Sequence, residues 1–139
     1  MAASFDYFEH VADIGVIGIG DTLAEAFVGG AQGLFNVMVD IDQVDGTRCI
    51  DITCSAFDIQ ELYIEWLNTL LAKADINGMV FCRFTIDQLT ENTLHGHAFG
   101  ETINAMKHHI KTEVKGATYS MLSIEKVNDK FVVKCVVDV

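Results

Sequence analysis

The 139-residue sequence predicts an α+β fold, a two-layer domain with two amphipathic helices packed on one face of a mixed, largely antiparallel sheet. Three observations carry this expectation. Two stretches place apolar residues at helical spacing directly behind a capping sequence. About six or seven other stretches read as strands, by alternation or as short apolar runs bounded by turn residues. Half of the residues are hydrophobic, and there is no proline and no low-complexity tract. The elements are therefore assigned to one domain, residues 1–139, with material for a sizeable core.

Phe5 to His10 reads as a short extended lead-in, and Ile14 to Ile19 as a strand of near-continuous apolar character. Gly15, Gly18 and Gly20 weaken that strand but let another backbone approach closely. Thr22 and Glu25 then have capping-box spacing. Leu23, Phe27, Ala31, Leu34, Phe35 and Met38 follow on one helical face, interrupted by Gly29, Gly30 and Gly33, which permit close packing on a sheet. Asp40 to Thr47 reads as a polar turn. Its acids, Asp40, Asp42 and Asp45, lack the order of an EF-hand, so a solvated loop is expected. Cys49 to Cys54 alternates as a strand does.

Asp58 and Glu61 repeat the cap, followed by the stripe Leu62, Tyr63, Trp66, Leu67, Leu70, Leu71 and Ala74, and Asn77-Gly78 ends that helix. Met79 to Leu89 and Thr93 to Phe99 read as strands joined by a turn. Ile103 to His108 reads as an irregular or helical connection. Met121 to Val127 is expected to be partly strand, Asn128-Asp129 a tight turn, and Phe131 to Val137 the final strand.

Nine Lys+Arg against twenty Asp+Glu give a formal net charge of -11. So acidic a chain is unsuited to gripping a phosphate backbone through its general field; it suits a basic protein surface or cations. Cys49, Cys54, Cys82 and Cys135 show no C-x-x-C spacing and read as small buried hydrophobes, which points to a reducing compartment. Met1 to Phe5 shows no basic segment leading into an apolar one, and no apolar run approaches the ~20 residues that span a bilayer. A cytoplasmic protein without membrane contact is expected.

The densest chemistry lies in Glu9-His10-Val11-Ala12-Asp13-Ile14-Gly15, with a counterpart in Cys135-Val136-Val137-Asp138-Val139. If the two ends meet, Asp13, Asp138 and the Val139 carboxylate offer three anionic groups, whose mutual repulsion a divalent cation relieves. An all-oxygen set favours calcium or magnesium, whereas imidazole from His10 would favour zinc or another transition metal. His10 and Glu9 could ligate or orient, and of the two His10 is expected in an orienting or partner-facing role. The plainer alternative makes Asp13 a turn residue and Asp138 an exposed terminal acid.

His95 and His97 share one face of a strand, as a metal pair would, but no acid signature adjoins them, so surface or partly buried histidines are expected. His108-His109 with Lys111 could form a basic patch. Lys115 reads either as a solvated strand lysine or as a cation presented to an anion on a partner. No nucleophile elbow, phosphate loop or credible Ser-His-Asp order is present, which argues against stand-alone group transfer.

Five stretches, in order and over nearly the whole chain, resemble the archease family. They are Glu9 to Gly15, Gly20 to Phe27, Glu65-Trp66-Leu67-Asn68 with Leu70-Leu71, Lys111 to Tyr119, and Val136 to Val139. Val11 stands where the family usually carries threonine, Gly116 where alanine is usual, and Asn104 to His109 is less typical. The resemblance implies an accessory protein with no catalytic residues of its own. Such proteins assist an RtcB-type RNA ligase, promoting guanylylation of its histidine and restoring its turnover in tRNA splicing or RNA repair. It implies Asp13, Asp138 and the Val139 carboxylate as metal ligands, calcium as the ion, Lys115 as a functional lysine, and any RNA contact as secondary. A chaperone-like interaction module and a metal-dependent hydrolase using His10, Asp13 and Asp138 are the competing readings.

Overall fold

The computed structural model describes residues 3–139. Met1 and Ala2, on which part of the signal-peptide reading falls, lie outside the described residues. The chain runs β1 (Ser4–His10), β2 (Asp13–Gly20), α1 (Leu23–Met38), a single 3-10 turn (Ile41–Gln43), β3 (Arg48–Ser55) and α2 (Ile59–Asn77). It continues through β4 (Met79–Leu89), β5 (Thr93–Thr102), the two-residue β6 (Gly116–Ala117), β7 (Ser123–Val127) and β8 (Lys130–Asp138).

The α+β class is as expected, and every strand pairing is antiparallel among the described residues. The single expected sheet, however, is two. One has the order β1-β2-β8-β6, with β7 also on β8; the other is β3-β5-β4. Strand β2 takes one edge of β8, so β7 runs along the first half of the other edge and β6 along its end. The reason lies in the connections. The β4–β5 hairpin leaves one edge of β5 open, β3 fills it, and the middle of the chain closes its own sheet while the two chain ends build the other.

Both helices start as their local sequence dictates. Glu25 N–H donates to Thr22 Oγ1 at 3.1 Å, and Thr22 N–H donates back to Glu25 Oε1 at 3.1 Å. At α2, Glu61 N–H donates to Asp58 Oδ1 at 2.8 Å. That helix stops at Gly78, whose φ of 61° is left-handed. Helix α1 lies against β1, β2 and β8 and reaches β4; α2 lies against β3, β4, β5 and β6. One apolar core joins both helices to both sheets through Val16, Phe27, Phe35, Ile52, Trp66, Phe81 and Cys135. Trp66 Nε1–H donates to Phe27 O at 2.9 Å, so the one polar atom of this buried ring is satisfied by the other helix. No described helix is long and apolar enough to cross a membrane.

The cysteines are all free. Cys54 and Cys135 are buried as expected, and burial pushes the Cys135 thiol up to about 12. Cys49 is instead exposed, because it falls on the solvent-facing start of β3.

Residues 103–110 follow β5 as an irregular loop tied to Glu101. Asp45 N–H donates to Glu101 Oε2 at 2.7 Å, Lys107 Nζ lies 2.8 Å from the same atom, and His108 Nε2 lies 3.0 Å from it. Asn104 N–H donates to His108 Nδ1 at 3.0 Å, so the ring proton sits on Nε2 and points at Glu101. His108 is only 2 % exposed and does not join His109 in a basic patch. The Asp45 amide first, then Lys107 and His108, hold the Glu101 carboxyl at about 2 instead of its ordinary 4.5. Because the folded value is depressed, the contribution is full above about 4.5 and is lost as pH falls from there through about 2. Amide hydrogen exchange at Asn104 and His108 is therefore expected to accelerate over that window in the wild type. In Glu101→Gln it should be fast and pH-insensitive beyond intrinsic exchange. Equal protection in both proteins would contradict the assignment.

Candidate functional site

The first two strands form a tight hairpin in which His10 pairs with Asp13. Val11, at the turn, has a φ of 46° and is fully exposed, an uncommon conformation for a β-branched residue. Strand β2 then pairs β8 with Ile14 opposite Val137, and one further step in that register sets Asp13 opposite Asp138. Val139 N–H makes a long hydrogen bond of 3.4 Å to Asp13 Oδ1. The two ends of the sequence thus meet at one rim of the five-stranded sheet.

Lys115 joins the same rim. Its backbone N–H donates to Asp138 O at 2.8 Å, and the next residue, Gly116, pairs with Asp138. The Lys115 side chain is exposed and forms no ion pair among the described residues. Strand β6 is held from the other side by Asn68 of α2. Ala117 N–H donates to Asn68 Oδ1 at 2.9 Å, and Asn68 Nδ2–H donates to Ala117 O at 3.2 Å. One side chain thereby replaces a neighbouring strand and fixes where Lys115 leaves the sheet. Sequence reading quoted Asn68 only within a stretch of family resemblance and gave it no role, yet a signal was present: it is a lone amide between Leu67 and Leu70. An open groove of about 710 Å³ runs from Lys115 past Asn68, Leu71, Asp75 and Ile110.

The structure brings Asp13, Asp138, Val139 and Lys115 together, with His10 paired directly to Asp13. Glu9 is exposed on the far side of the pairing and is not drawn in. His10 Nδ1 is shielded from solvent and has no hydrogen-bond partner among the described residues. An acid facing an acid across an antiparallel pair is unfavourable unless something positive intervenes. The donor set here, carboxylates from two strands and, where the chain ends at Val139, its terminal carboxylate, suits a hard cation. It leaves most of a calcium shell of roughly six to eight oxygens to water, carbonyls or a partner. His95, His97 and His109 lie elsewhere.

Fold and rim together define a small acidic α+β protein whose candidate site is an open edge built by both chain ends, not an enclosed catalytic pocket. The model of the Archease protein family (MTH1598/TM1083) matches residues 5–139, and the chain belongs to that family. The protein archease of Thermococcus kodakarensis is 41% identical over 128 residues, covering 90% of either chain. That of Saccharolobus islandicus is 40% identical over 138 residues, covering 98% of this chain and 99% of its own. Among solved structures, Methanobacterium thermoautotrophicum protein 1598 matches with a TM-score of 0.75 at 30% identity, covering 98% of this chain and 99% of that one. A Thermotoga maritima archease, described as a possible chaperone, has a TM-score of 0.63 at 18% identity over 95% of this chain and 94% of its own, a likeness of fold.

Proposed function

We propose that this protein is a cytoplasmic, non-catalytic activator of an RtcB-type RNA ligase, which promotes guanylylation of the ligase and restores its turnover in tRNA splicing or RNA repair. The observation that carries the reading is the convergence of Asp13, Asp138, Val139 and Lys115 on one exposed rim. Asp13, Asp138 and the Val139 carboxylate would hold calcium, which supplies a positive centre for phosphate or carboxylate oxygens. His10, paired directly with Asp13 and with Nδ1 shielded from solvent, would orient that residue and would not itself face a partner. The exposed Lys115 ammonium is free to meet an anion on the ligase. The net charge of -11 suits docking on a basic, phosphate-binding surface and disfavours RNA as the main partner.

A ligase guanylylation assay with GTP tests this reading. Addition of the wild-type protein is expected to raise both the rate of ligase–GMP formation and the number of ligation cycles. An unchanged ligase would refute the proposal. A chaperone-like role, which the exposed Val11, Phe57 and Met106 would serve, predicts more soluble ligase but no faster guanylylation. Phosphoester hydrolysis by the purified protein alone, lost in Asp13→Ala, would favour a hydrolase.

A further inference from the structure

On the solvent side of the three-stranded sheet, well away in the topology from the chain-end rim, two histidines are gripped by two acids. Adjacent outward positions of β5 carry His95 and His97, with rings 5.3 Å apart. Asp51 of β3 pairs directly with His97. Asp87 belongs to β4, where the register shifts between Ile86 and Gln88, and the bulge turns its carboxylate onto the same face. Asp51 Oδ1 lies 3.0 Å from His95 Nε2 and 3.2 Å from His97 Nε2. Asp87 Oδ2 lies on the opposite side of both rings, 3.1 Å from His97 Nδ1 and 3.8 Å from His95 Nδ1.

With both rings neutral this arrangement has too few protons, a shortfall that a second proton on a ring or a bound cation makes up. A neutral imidazole carries a single N–H. His97 faces a carboxylate oxygen closely with both nitrogens, so a neutral His97 would press one lone pair against a carboxylate, while His95 makes its close approach to Asp51 through Nε2 and stands 3.8 Å from Asp87 at Nδ1. A cation on the Nε2 side removes the conflict. The His97 Nδ1–H then donates to Asp87, and the Nε2 lone pairs of both rings share the ion with Asp51. A tetrahedral ion with bonds of about 2.0–2.1 Å holds its ligands about 3.3 Å apart, close to the Nε2–Asp51 separations. The ligand atoms of Asp51, His95 and His97 all lie within 4.8 Å of one another. A carboxylate behind a metal-bound imidazole is the usual device for setting its tautomer. The Phe99 ring packs at 6.3 Å from His97, and Arg83 stacks at 3.8 Å over Phe99, which stiffens that side of the site.

We propose that His95, His97 and Asp51 form a binding site for a late first-row divalent ion of the zinc class, with Asp87 as a positioning residue acting through the His97 imidazole. Two nitrogens and one or two oxygens favour zinc over calcium, which prefers oxygen alone. Three protein ligands leave a fourth position open to solvent, the pattern of a reactive rather than a closed structural site.

The test is calorimetric titration of the full chain with zinc chloride in excess calcium, which keeps carboxylate-only sites filled. Wild type is expected to bind a single equivalent, and cobalt(II) in its place should give the intense visible bands of a tetrahedral complex. His95→Gln/His97→Gln is expected to lose that equivalent and those bands. Asp87→Asn should keep the stoichiometry, weaken affinity about 10- to 100-fold, and scramble the Nδ1–H tautomer in imidazole ¹⁵N spectra. Should the double variant misfold, zinc protection of His95 and His97 from diethylpyrocarbonate in the wild type gives the same answer. The proposal is overturned if wild type takes up no zinc, if the double variant binds as wild type does, or if both rings are doubly protonated and indifferent to zinc. Unchanged affinity in Asp87→Asn overturns its positioning role.

Discussion

Asp13→Ala is expected to weaken calcium binding by more than about 100-fold, since losing even a group that orients a ligand typically costs 10- to 100-fold. The change removes one carboxylate and also the acceptor of the Val139 N–H, so the C-terminal residue loses its tether to β2. In thermal melts, calcium at 100 times its dissociation constant should stabilise wild type by about 2.7 kcal/mol and leave the variant unmoved. Asp13→Asn separates the two losses, because it keeps a hydrogen-bond acceptor and discards the charge. Extending the chain beyond Val139 by two residues removes only the terminal carboxylate there, and it should weaken calcium binding with every side chain intact. Lys115→Ala should keep the calcium-dependent shift and lose ligase stimulation, because its ammonium is exposed while its backbone alone anchors the rim. Calcium affinity unchanged in both Asp13→Ala and the extended chain would sink the metal assignment. Full stimulation by Lys115→Ala would sink the role of the lysine and leave the metal question standing.

How far the sequence could carry such reasoning depended on the range of each interaction. The helix starts at Thr22 and Asp58 were legible because a cap and its glutamate lie within four residues, closing a full capping box at Thr22 and half of one at Asp58. The stop at Gly78 was legible for the same reason. The division into two sheets was not, since β3 finds β5 some forty residues along the chain and alternation says nothing about partners. β6 escaped because two residues carry no period, and it exists only because Asn68 and β8 hold it from either side. At the rim, residue chemistry alone could pair Asp13 with Asp138 only on the condition that the two ends meet, beside the plainer reading of a turn acid and a terminal acid; the family resemblance favoured the pairing, and the β2–β8 register supplies the physical link. The His95–His97 pair was visible, but its acids were not. They arrive from two other strands, one of them on a bulge that no local pattern announces. His108 looked like half of a basic doublet, and only the loop geometry turns it inward onto Glu101.

The largest effect on folding is expected at Gly18 and Gly30, where β2 and α1 touch backbone to backbone. A Cβ on Gly18 would overlap Ala26 O and the Gly30 backbone, and one on Gly30 would overlap the Tyr63 hydroxyl. Neither obstacle yields easily. The first is main chain in the middle of a helix, and the second belongs to a fully buried ring packed 4.8 Å from Phe27. Over-packing of a core costs about 1–3 kcal/mol, and rigid backbone on the receiving side places Gly18→Ala near 3 kcal/mol. For a domain of this size that is a fall of roughly 10 °C in Tm. Gly116→Ala is the internal control. Its Cβ would meet only Asn68 Oδ1, at an ordinary 3.5 Å, and Gly116 has no positive φ. The unfolded chain loses freedom and the folded chain loses nothing, so this change should be neutral or stabilise by about 0.4–1 kcal/mol. Both variants put one methyl group on a strand of the same sheet, so propensity alone predicts similar effects. If Gly18→Ala melts within a few degrees of Gly116→Ala, the close approach of α1 to β2 is not what makes glycine necessary at position 18.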